Sequence, residues 1–157
     1  METTFLLTEQ DVMKEVPVTL ISPRHPTSIE TVFLSNIDQT VAFPVESVFF
    51  YEAPPSEWTP TSDIIEKVRR SVSEVLLIHY YFMAGRLNFN LETKRLELLC
   101  NNAGVLFVGA KSNLRLKEVG NLSIPNPSFQ HLILRTEGFK SLADTPVFTI
   151  QVCSSLP

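Results

Sequence analysis

The chain has 157 residues, of which 44% are hydrophobic and 19% charged, with eleven Phe residues and a formal net charge of −4. This length predicts one domain with a sizeable buried core, and the composition excludes a disordered chain. The acidic balance argues against nucleic acid as the main partner, because phosphate binding needs a basic face.

The amino-terminal sequence METTFLLTEQDVMKEV has neither a cationic region nor a long apolar stretch, so it lacks the pattern of a secretory signal. No window of the sequence reaches the ~18 apolar residues of a membrane-spanning helix. We therefore expect a cytoplasmic protein without a membrane span. The two cysteines, Cys100 and Cys153, are too few for a disulfide framework and lack the spacing of zinc ligands.

The first elements predicted along the chain are strands separated by turns. VPVTLISP (residues 16–23) alternates apolar and polar side chains, which is typical of a strand. FPVESVFFYE (residues 43–52) is rich in Val and Phe and predicts a buried strand. The three prolines of APPSEWTPTS then predict a loop over residues 53–62.

A long amphipathic helix is predicted next, over residues 63–79. One face at 3.6-residue spacing is mostly apolar and comprises Ile64, Ile65, Val68, Val72, Val75, Leu76 and His79. Thr61 or Ser62 is expected to cap the helix, and Asp63 to favour its first turn. We expect Glu66 to pair with Arg70 at i,i+4 and Gly85 to provide the break after the helix, for its backbone freedom at a tight turn.

The remaining half of the chain reads mostly as strands. GRLNFN and RLELLC predict a hairpin across LETK, and GVLFVGA predicts another apolar strand. NLRLKEVG predicts a short helix ended by Gly120, LSIPNPSFQ a loop, and QHLILRT and PVFTIQV the last two strands. The fold class expected from this order is α/β, a mixed sheet with one long amphipathic helix packed on it.

Sequence motifs for chemistry are absent. The chain contains no G-x-S-x-G, P-loop or G-x-G-x-x-G motif, and no His, Cys and Asp residues at metal-ligand spacing. The three histidines have structural interpretations: His25 in a solvated turn, His79 at the end of the helix face, and His131 at the start of a strand. No residue is predicted to be catalytic and none to bind a metal.

Four phrases nevertheless resemble the plant BAHD acyltransferases, in the order in which that family has them. VFLSNIDQT resembles its L-S-x-x-D segment, HYYFMAGRL its Y-P-L-A-G-R-L signature, LELLCNNAGVLFVGA its strand, Cys, Gly and strand run, and DTPVFTIQV the strand before its Q-V-T-x-F-x-C-G-G segment. LSNIDQ, YFMAGRL and NPSFQ look most like members that transfer hydroxycinnamoyl groups to long-chain alcohols or ω-hydroxy acids.

This resemblance implies acyl transfer from acyl-CoA, as co-substrate, to an alcohol or amine, with no bound cofactor. The family's base is the His of an H-x-x-x-D-G motif, because a hydroxyl needs a base of near-neutral pKa to become a good nucleophile. Four residues after His25, His79 and His131 stand Ile29, Met83 and Arg135, so H-x-x-x-D is absent, as is D-F-G-W-G. The chain alone is therefore expected to be inactive.

The resemblance further implies that residues 1–152 form part of the N-terminal domain of the two-domain CoA-dependent acyltransferase fold, and that residues 153–157 are a tail unrelated to the family. By position in the family, the candidates for the acceptor side of the channel are Ser35, Asp38, Gln39 and Thr40. The alternative for Asp38 is a structural carboxylate that caps or pairs within the domain.

A second hypothesis, from another functional class, is a non-catalytic interaction module that pairs through an exposed strand edge. The last strand is expected to leave such an edge, with Phe148 and Ile150 facing one way and Val147, Thr149 and Gln151 the other. Self-association of the chain is the corresponding expectation.

Overall fold

The computed structural model describes residues 6–15, 17–52, 61–135 and 138–155, and of residues 61 and 62 the helical backbone alone. Within these ranges the strands are β1 (Val12–Lys14), β2 (Thr19–Ile21), β3 (Glu30–Phe33), β4 (Arg86–Asn90), β5 (Arg95–Cys100), β6 (Val105–Ser112) and β7 (Thr149–Ser155). The helical segments are α1 (Asn36–Thr40), α2 (Thr61–Ser71), a π-helical segment (Val72–Leu76), α3 (Leu77–His79) and four 3-10 turns, Glu9–Asp11, Tyr81–Ala84, Leu116–Glu118 and Pro127–Leu132.

The larger sheet is built around β6. Strand β7 pairs with β6 in parallel along one edge, while β1 and β2 pair with it antiparallel, one after the other, along the other edge. Phe107 of β6 thus lies between Thr19 of β2 and Ile150 of β7. The sheet is mixed and carries the long helix on one face, which confirms the expected fold class.

The smaller sheet is antiparallel, in the order β3-β5-β4. Its β4–β5 hairpin confirms the strands predicted for GRLNFN and RLELLC, joined through residues 91–94. The side chain of Asn90 holds the turn, because its Oδ1 accepts hydrogen bonds from the backbone N–H groups of Glu92 (2.9 Å) and Thr93 (3.1 Å).

The predicted helix is confirmed as one helical run from Thr61 to His79, but its buried face changes along its length. Ile65, Val72 and Leu77 are buried against the larger sheet, whereas Val75 is 57% exposed and His79 is exposed. The π-helical segment causes this change, because its wider turn rotates the following residues relative to a 3.6-residue repeat. The face predicted from that repeat is therefore correct up to and including Val72 and wrong for Val75 and His79.

The ion pairs on the helix surface also differ from the prediction. Glu66 accepts hydrogen bonds from Arg69, at 2.8 Å from Nε, rather than pairing with Arg70. Arg70 instead donates to Glu74 (3.0 Å), which also accepts from Arg24. Hydrogen bonding from these arginines lowers the pKa of both glutamates below the ordinary value. The loop predicted over residues 53–62 and the side-chain caps predicted at Thr61 and Ser62 lie outside the described residues. Only the helical backbone of residues 61 and 62 is described there.

Two apolar clusters occupy the two faces of the larger sheet. The helix-side cluster joins α2 and its continuation to β6 and β7, with Phe148, Ile150 and Val152 packed against it. The opposite cluster comprises Leu7, Val12, Ala110 and Val119, with Phe50, Leu114, Leu122, Phe129, Leu132 and Cys153 packed around them. The alternation predicted for the last strand agrees with this arrangement, since Thr149 Oγ1 donates to the carbonyl of Leu134 on the second face (3.0 Å).

Several predicted strands are wrong or displaced. Residues 43–52 form no strand and are mostly exposed, and residues 130–135 begin inside the 3-10 turn Pro127–Leu132 and continue without a ladder. Asn126 starts that turn by accepting a hydrogen bond from the N–H of Ser128 (3.0 Å), with Pro127 at its first position. The strand predicted over 16–23 shortens to β2, the last strand shifts to β7, and the short helix before Gly120 is one 3-10 turn.

Gly85 has a different role from the tight turn that was predicted. Its φ of −86° and ψ of −171° are open to any residue, so no special backbone freedom is required. A Cβ at this position would approach the backbone oxygen of Leu99 to 2.7 Å. Close packing of the chain against β5 therefore favours glycine here.

Candidate functional site

Two of the four predicted acceptor residues form the start of helix α1. The N–H of Ser35 donates to Asp38 Oδ2 (2.7 Å), and the N–H of Asp38 donates to Ser35 Oγ (3.3 Å). This reciprocal arrangement is a capping box, which satisfies amides left free at a helix start. Hydrogen bonding from Ser35 lowers the pKa of Asp38 below its ordinary value, so the carboxylate is ionised at neutral pH. Asp38 therefore caps a helix within the domain, as the structural alternative for this residue predicts.

The third candidate, Gln39, fastens α1 to the smaller sheet. Its Nε2 donates to the carbonyl of Leu96 (2.8 Å), and its Oε1 accepts from the N–H of the same residue (2.8 Å). Strand β3 ends at Phe33 opposite Glu97, so the Gln39 amide takes over the ladder at the next position of β5. The fourth candidate, Thr40, donates from Oγ1 to the carbonyl of Ile37 (2.8 Å).

The helix α1 is further tied to the hairpin by Arg95. Its Nη1 donates to Asn36 Oδ1 (2.9 Å), its Nη2 donates to the carbonyl of Leu34 (2.9 Å), and its guanidinium carbon lies 5.1 Å from the centre of the Phe33 ring. The four candidates thus share one short, fixed element whose outer side chains, Ser35, Asp38 and Thr40, remain exposed. None of the four lines either of the two cavities described below.

One of these cavities is a crevice of about 500 Å³ beside β1, lined by Glu9, Val12, Lys14, Gln130, His131, Ile133, Leu134 and Arg135. Lys14 Nζ closes one side by donating to the carbonyl of Ile133 (3.3 Å). The imidazole of His131 lies close enough to Asp11 to contribute to the lowered pKa of that carboxyl, after the larger effect of its hydrogen bonds from Thr8. His131 is half-buried in this crevice rather than at the start of a strand.

The second cavity is an apolar groove of about 370 Å³ along the long helix. It is lined by Lys67, Val68, Ser71, Val72, Val75, Leu76, His79 and Tyr80. His79 therefore lies at the end of this groove, and His25 lies exposed in the turn after β2. The structure brings none of the three histidines into a hydrogen bond with a described carboxylate.

Among the described residues, no group of three or more His, Cys, Asp or Glu side chains is arranged to hold a metal ion. Cys100 is buried and Cys153 half-buried, both are free thiols, and burial raises the pKa of each above its ordinary value. A raised pKa keeps a thiol protonated and a poor nucleophile at neutral pH. Within the same ranges, no helix combines the length and apolar character needed to cross a bilayer.

The signature segment HYYFMAGRL contains a buried cation, Arg86, for which the sequence favours a structural role. Arg86 is 5% exposed, and its Nη1 donates to the carbonyls of Gly85 and Gly104, each at 2.7 Å, while Nη2 donates to that of Ala103 (3.2 Å). Burial lowers the pKa of this guanidinium from its ordinary value. Arg86 therefore binds the turn before β6 to the start of β4, which is a structural role.

Comparison with known proteins gives consistent matches. The chain matches the model of the Transferase family over residues 14–154. It is 40% identical over 139 residues to Acyltransferase GLAUCE of Arabidopsis thaliana, covering 87% of this chain and 30% of that protein. It is 32% identical over 134 residues to omega-hydroxypalmitate O-feruloyl transferase of the same plant, covering 85% of this chain and 28% of that protein.

A solved structure agrees on the fold. The crystal structure of vinorine synthase matches with a TM-score of 0.57 at 24% identity, over 92% of this chain and 35% of that one. The chain thus spans less than one third of the length of the two curated relatives.

Proposed function

Because the chain belongs to the Transferase family, which is the family of the BAHD acyltransferases, we propose that it forms the amino-terminal part of an enzyme of this kind. Such an enzyme transfers an acyl group from acyl-CoA to an alcohol or amine. The observation that carries this proposal is the family match over residues 14–154. The 40% and 32% identities to two named acyl transferases support it.

The proposed acyl donor is a hydroxycinnamoyl-CoA, and the proposed acceptor is a long-chain alcohol or ω-hydroxy acid. One relative is named for transfer of a feruloyl group to omega-hydroxypalmitate, and its match covers 85% of this chain. The phrases LSNIDQ, YFMAGRL and NPSFQ support the same subgroup. We also propose that the enzyme is cytoplasmic, that it uses acyl-CoA as co-substrate and that it holds no resident cofactor.

Within such an enzyme, we assign helix α1 to the acceptor side of the channel. Ser35, Asp38 and Thr40 are exposed on it, so a neighbouring domain can contact them. Gln39 is assigned a positioning role, because its amide is fully engaged with Leu96 and fixes α1 to the hairpin.

The chain by itself is expected to release no CoA above background from feruloyl-CoA with ω-hydroxypalmitate or other alcohols. None of its histidines has the H-x-x-x-D setting, and positioned general-base catalysis contributes ~10²–10⁴ in rate. The measurement is free thiol release from purified protein. Turnover that disappears on changing His25, His79 or His131 to Ala would identify a base in this chain and contradict its inactivity.

The positive arm of the experiment is a chimera in which residues 14–154 replace the matched part of Acyltransferase GLAUCE. We expect CoA release at least about a hundredfold above that of the chain alone, because the chimera supplies the family's H-x-x-x-D histidine. The matched control changes that histidine to Ala and should return to background. A folded chimera that releases no CoA with any donor would contradict the acyltransferase proposal.

A second candidate function is the interaction module, favoured by the position of β7. This strand of seven residues pairs with β6 along one edge and with no other described strand. Strand edges of this kind recruit other chains through main-chain hydrogen bonds. The register of the ladder, with the N–H of Leu106 donating to Phe148 (3.2 Å), directs the N–H of Gln151 away from β6.

If β7 mediates self-association, Gln151→Pro is expected to abolish it, because proline removes the outward N–H without touching the β6 ladder. Gln151→Ala is the matched control, since it loses the same side chain but keeps that N–H. Sedimentation at micromolar concentrations is the measurement, with binding of a hydrophobic dye as a second signal. A wild-type chain that sediments as a monodisperse monomer would exclude this function.

A further inference from the structure

Residues 43–51 present a row of exposed, large apolar side chains. Phe43, Val45, Phe49 and Tyr51 are 60%, 78%, 74% and 85% exposed. These four residues are called the apolar strip below. Monomeric proteins rarely leave such a row of large apolar side chains uncovered, and patches of this kind mark interfaces.

The segment is nevertheless fixed in place on its other side. Glu46 accepts from Arg135, at 2.9 Å from Nε, and the rings of Phe50 and Phe129 lie 5.2 Å apart at 63°. From Ser47 to Tyr51 the exposure of the side chains alternates with a period of two. Phe50 therefore anchors the segment to the opposite cluster, and its neighbours Phe49 and Tyr51 in the apolar strip point away from that cluster.

The backbone of the segment is not part of either sheet. No backbone–backbone hydrogen bond joins residues 44–52 to another part of the described chain. The segment therefore combines side-chain alternation, an outward apolar row and main-chain groups without a ladder. These are the features of a surface to which an additional strand can pair. Over residues 47–51 the segment thus has the side-chain alternation of a strand but no ladder partner among the described residues.

The occupant follows from the part of the relatives that lies outside the match. This chain covers 30% of Acyltransferase GLAUCE and 35% of the vinorine synthase chain, so most of each polypeptide lies elsewhere. Phe50 and Cys153 of β7 pack in the same apolar cluster. Strand β7 and residues 43–51 therefore contact one cluster of this domain, and polypeptide that follows β7 in a longer relative starts from the element that shares this cluster with the segment.

We propose that the apolar strip is a docking surface for an apolar strand from the remaining part of a BAHD acyltransferase, and that this chain binds such a part in trans. The inference rests on the proposed function for the identity of the occupant. It assigns the strip, rather than the edge of β7, as the surface that joins the two parts.

The test is co-expression of the tagged chain with the portion of Acyltransferase GLAUCE that lies outside the match, followed by affinity purification. The wild-type chain is expected to recover that portion in a one-to-one complex. Val45→Lys combined with Phe49→Lys should reduce the recovery by at least about tenfold, because two charges would be buried at the centre of the interface.

The matched control is Ile29→Lys combined with Leu91→Lys, at two apolar residues that are 74% and 81% exposed outside the strip. This control should recover the portion as well as the wild type does. Both double variants are expected to keep the wild-type melting temperature, because the replaced side chains are exposed in the isolated chain.

Three outcomes would overturn the proposal. The wild-type chain could recover none of the portion, the strip variant could recover as much as the wild type does, or the wild-type chain could form a dimer that is lost in the strip variant. The last would assign the strip to a second copy of this chain. The chimera separates this inference from the proposed function. If the chimera is active but the chain binds nothing in trans, only the docking proposal is contradicted. If binding depends on the strip but the chimera is inactive, only the proposed acyl transfer is contradicted.

Discussion

Val72→Asp is expected to leave the chain without a cooperative unfolding transition, whereas Val75→Asp is expected to unfold almost as the wild type does. Val72 is 5% exposed and lies in the helix-side cluster with Ile65, Leu77 and Phe107. An aspartate there would lie among the apolar side chains of this cluster, and burying an unpaired charge costs several kcal/mol. A cost of that size removes most of a stability of about 5–15 kcal/mol.

Val75 provides the matched control, because it is the same residue three positions further along the same helical run and is 57% exposed. Its replacement should change the free energy of unfolding by no more than about 1 kcal/mol, the range of helix propensity and surface effects. The measurement is thermal and urea unfolding followed by circular dichroism. Equal midpoints for the two variants would show that the π-helical segment does not divide the helix face in this way.

This contrast shows where the sequence pattern stops being sufficient. A repeat of 3.6 residues predicts the helix and the burial of Ile65 and Val72 correctly. It places Val75 on the same face and leaves Leu77 off it, although Leu77 is fully buried. A π-helical segment leaves no mark in an apolar pattern, so the side of the helix that it turns outward could not be predicted.

The strands also divide into those that a local sequence pattern predicts and those that it does not. The β4–β5 hairpin was predictable, since a short polar turn lies between two alternating runs and Asn90 closes it locally. The segment predicted as a buried strand over residues 43–52 alternates in exposure only from Ser47 to Tyr51, and a strand also needs a neighbour for its backbone. The sequence of one segment contains no information on that neighbour.

The site shows a related limit. The resemblance placed Ser35, Asp38, Gln39 and Thr40 together, and the structure places them on one short helix. The clamp between Gln39 and Leu96 joins residues 57 positions apart, and no local pattern predicts it. For Arg86 the structural role could be predicted, but its partner could not, because the carbonyl of Gly104 lies 18 positions away and meets it only in the folded chain.

Arg86→Ala is expected to destabilise the chain by about 3–5 kcal/mol, the usual loss when one partner of a buried, charge-assisted network is removed. The guanidinium donates to three backbone carbonyls, of Gly85, Ala103 and Gly104, and the first and last bonds are 2.7 Å long. Without it, these carbonyls lose a charged donor inside a space that excludes water. The N–H of Gly104, which donates to the carbonyl of Ala84 at 3.0 Å, belongs to the same junction.

Arg86→Lys and Arg69→Ala give this prediction its controls. Lysine retains the charge but presents one compact ammonium in place of the planar fork, so it cannot satisfy carbonyls on both sides and should recover only part of the lost stability. Arg69→Ala removes an exposed arginine paired with Glu66 and should cost about 1 kcal/mol or less. Urea unfolding gives the three free energies, and hydrogen exchange of the Gly104 amide reports on the junction directly. If Arg86→Ala unfolds at the same midpoint as Arg69→Ala, with that amide still protected, the turn before β6 holds itself in place without Arg86.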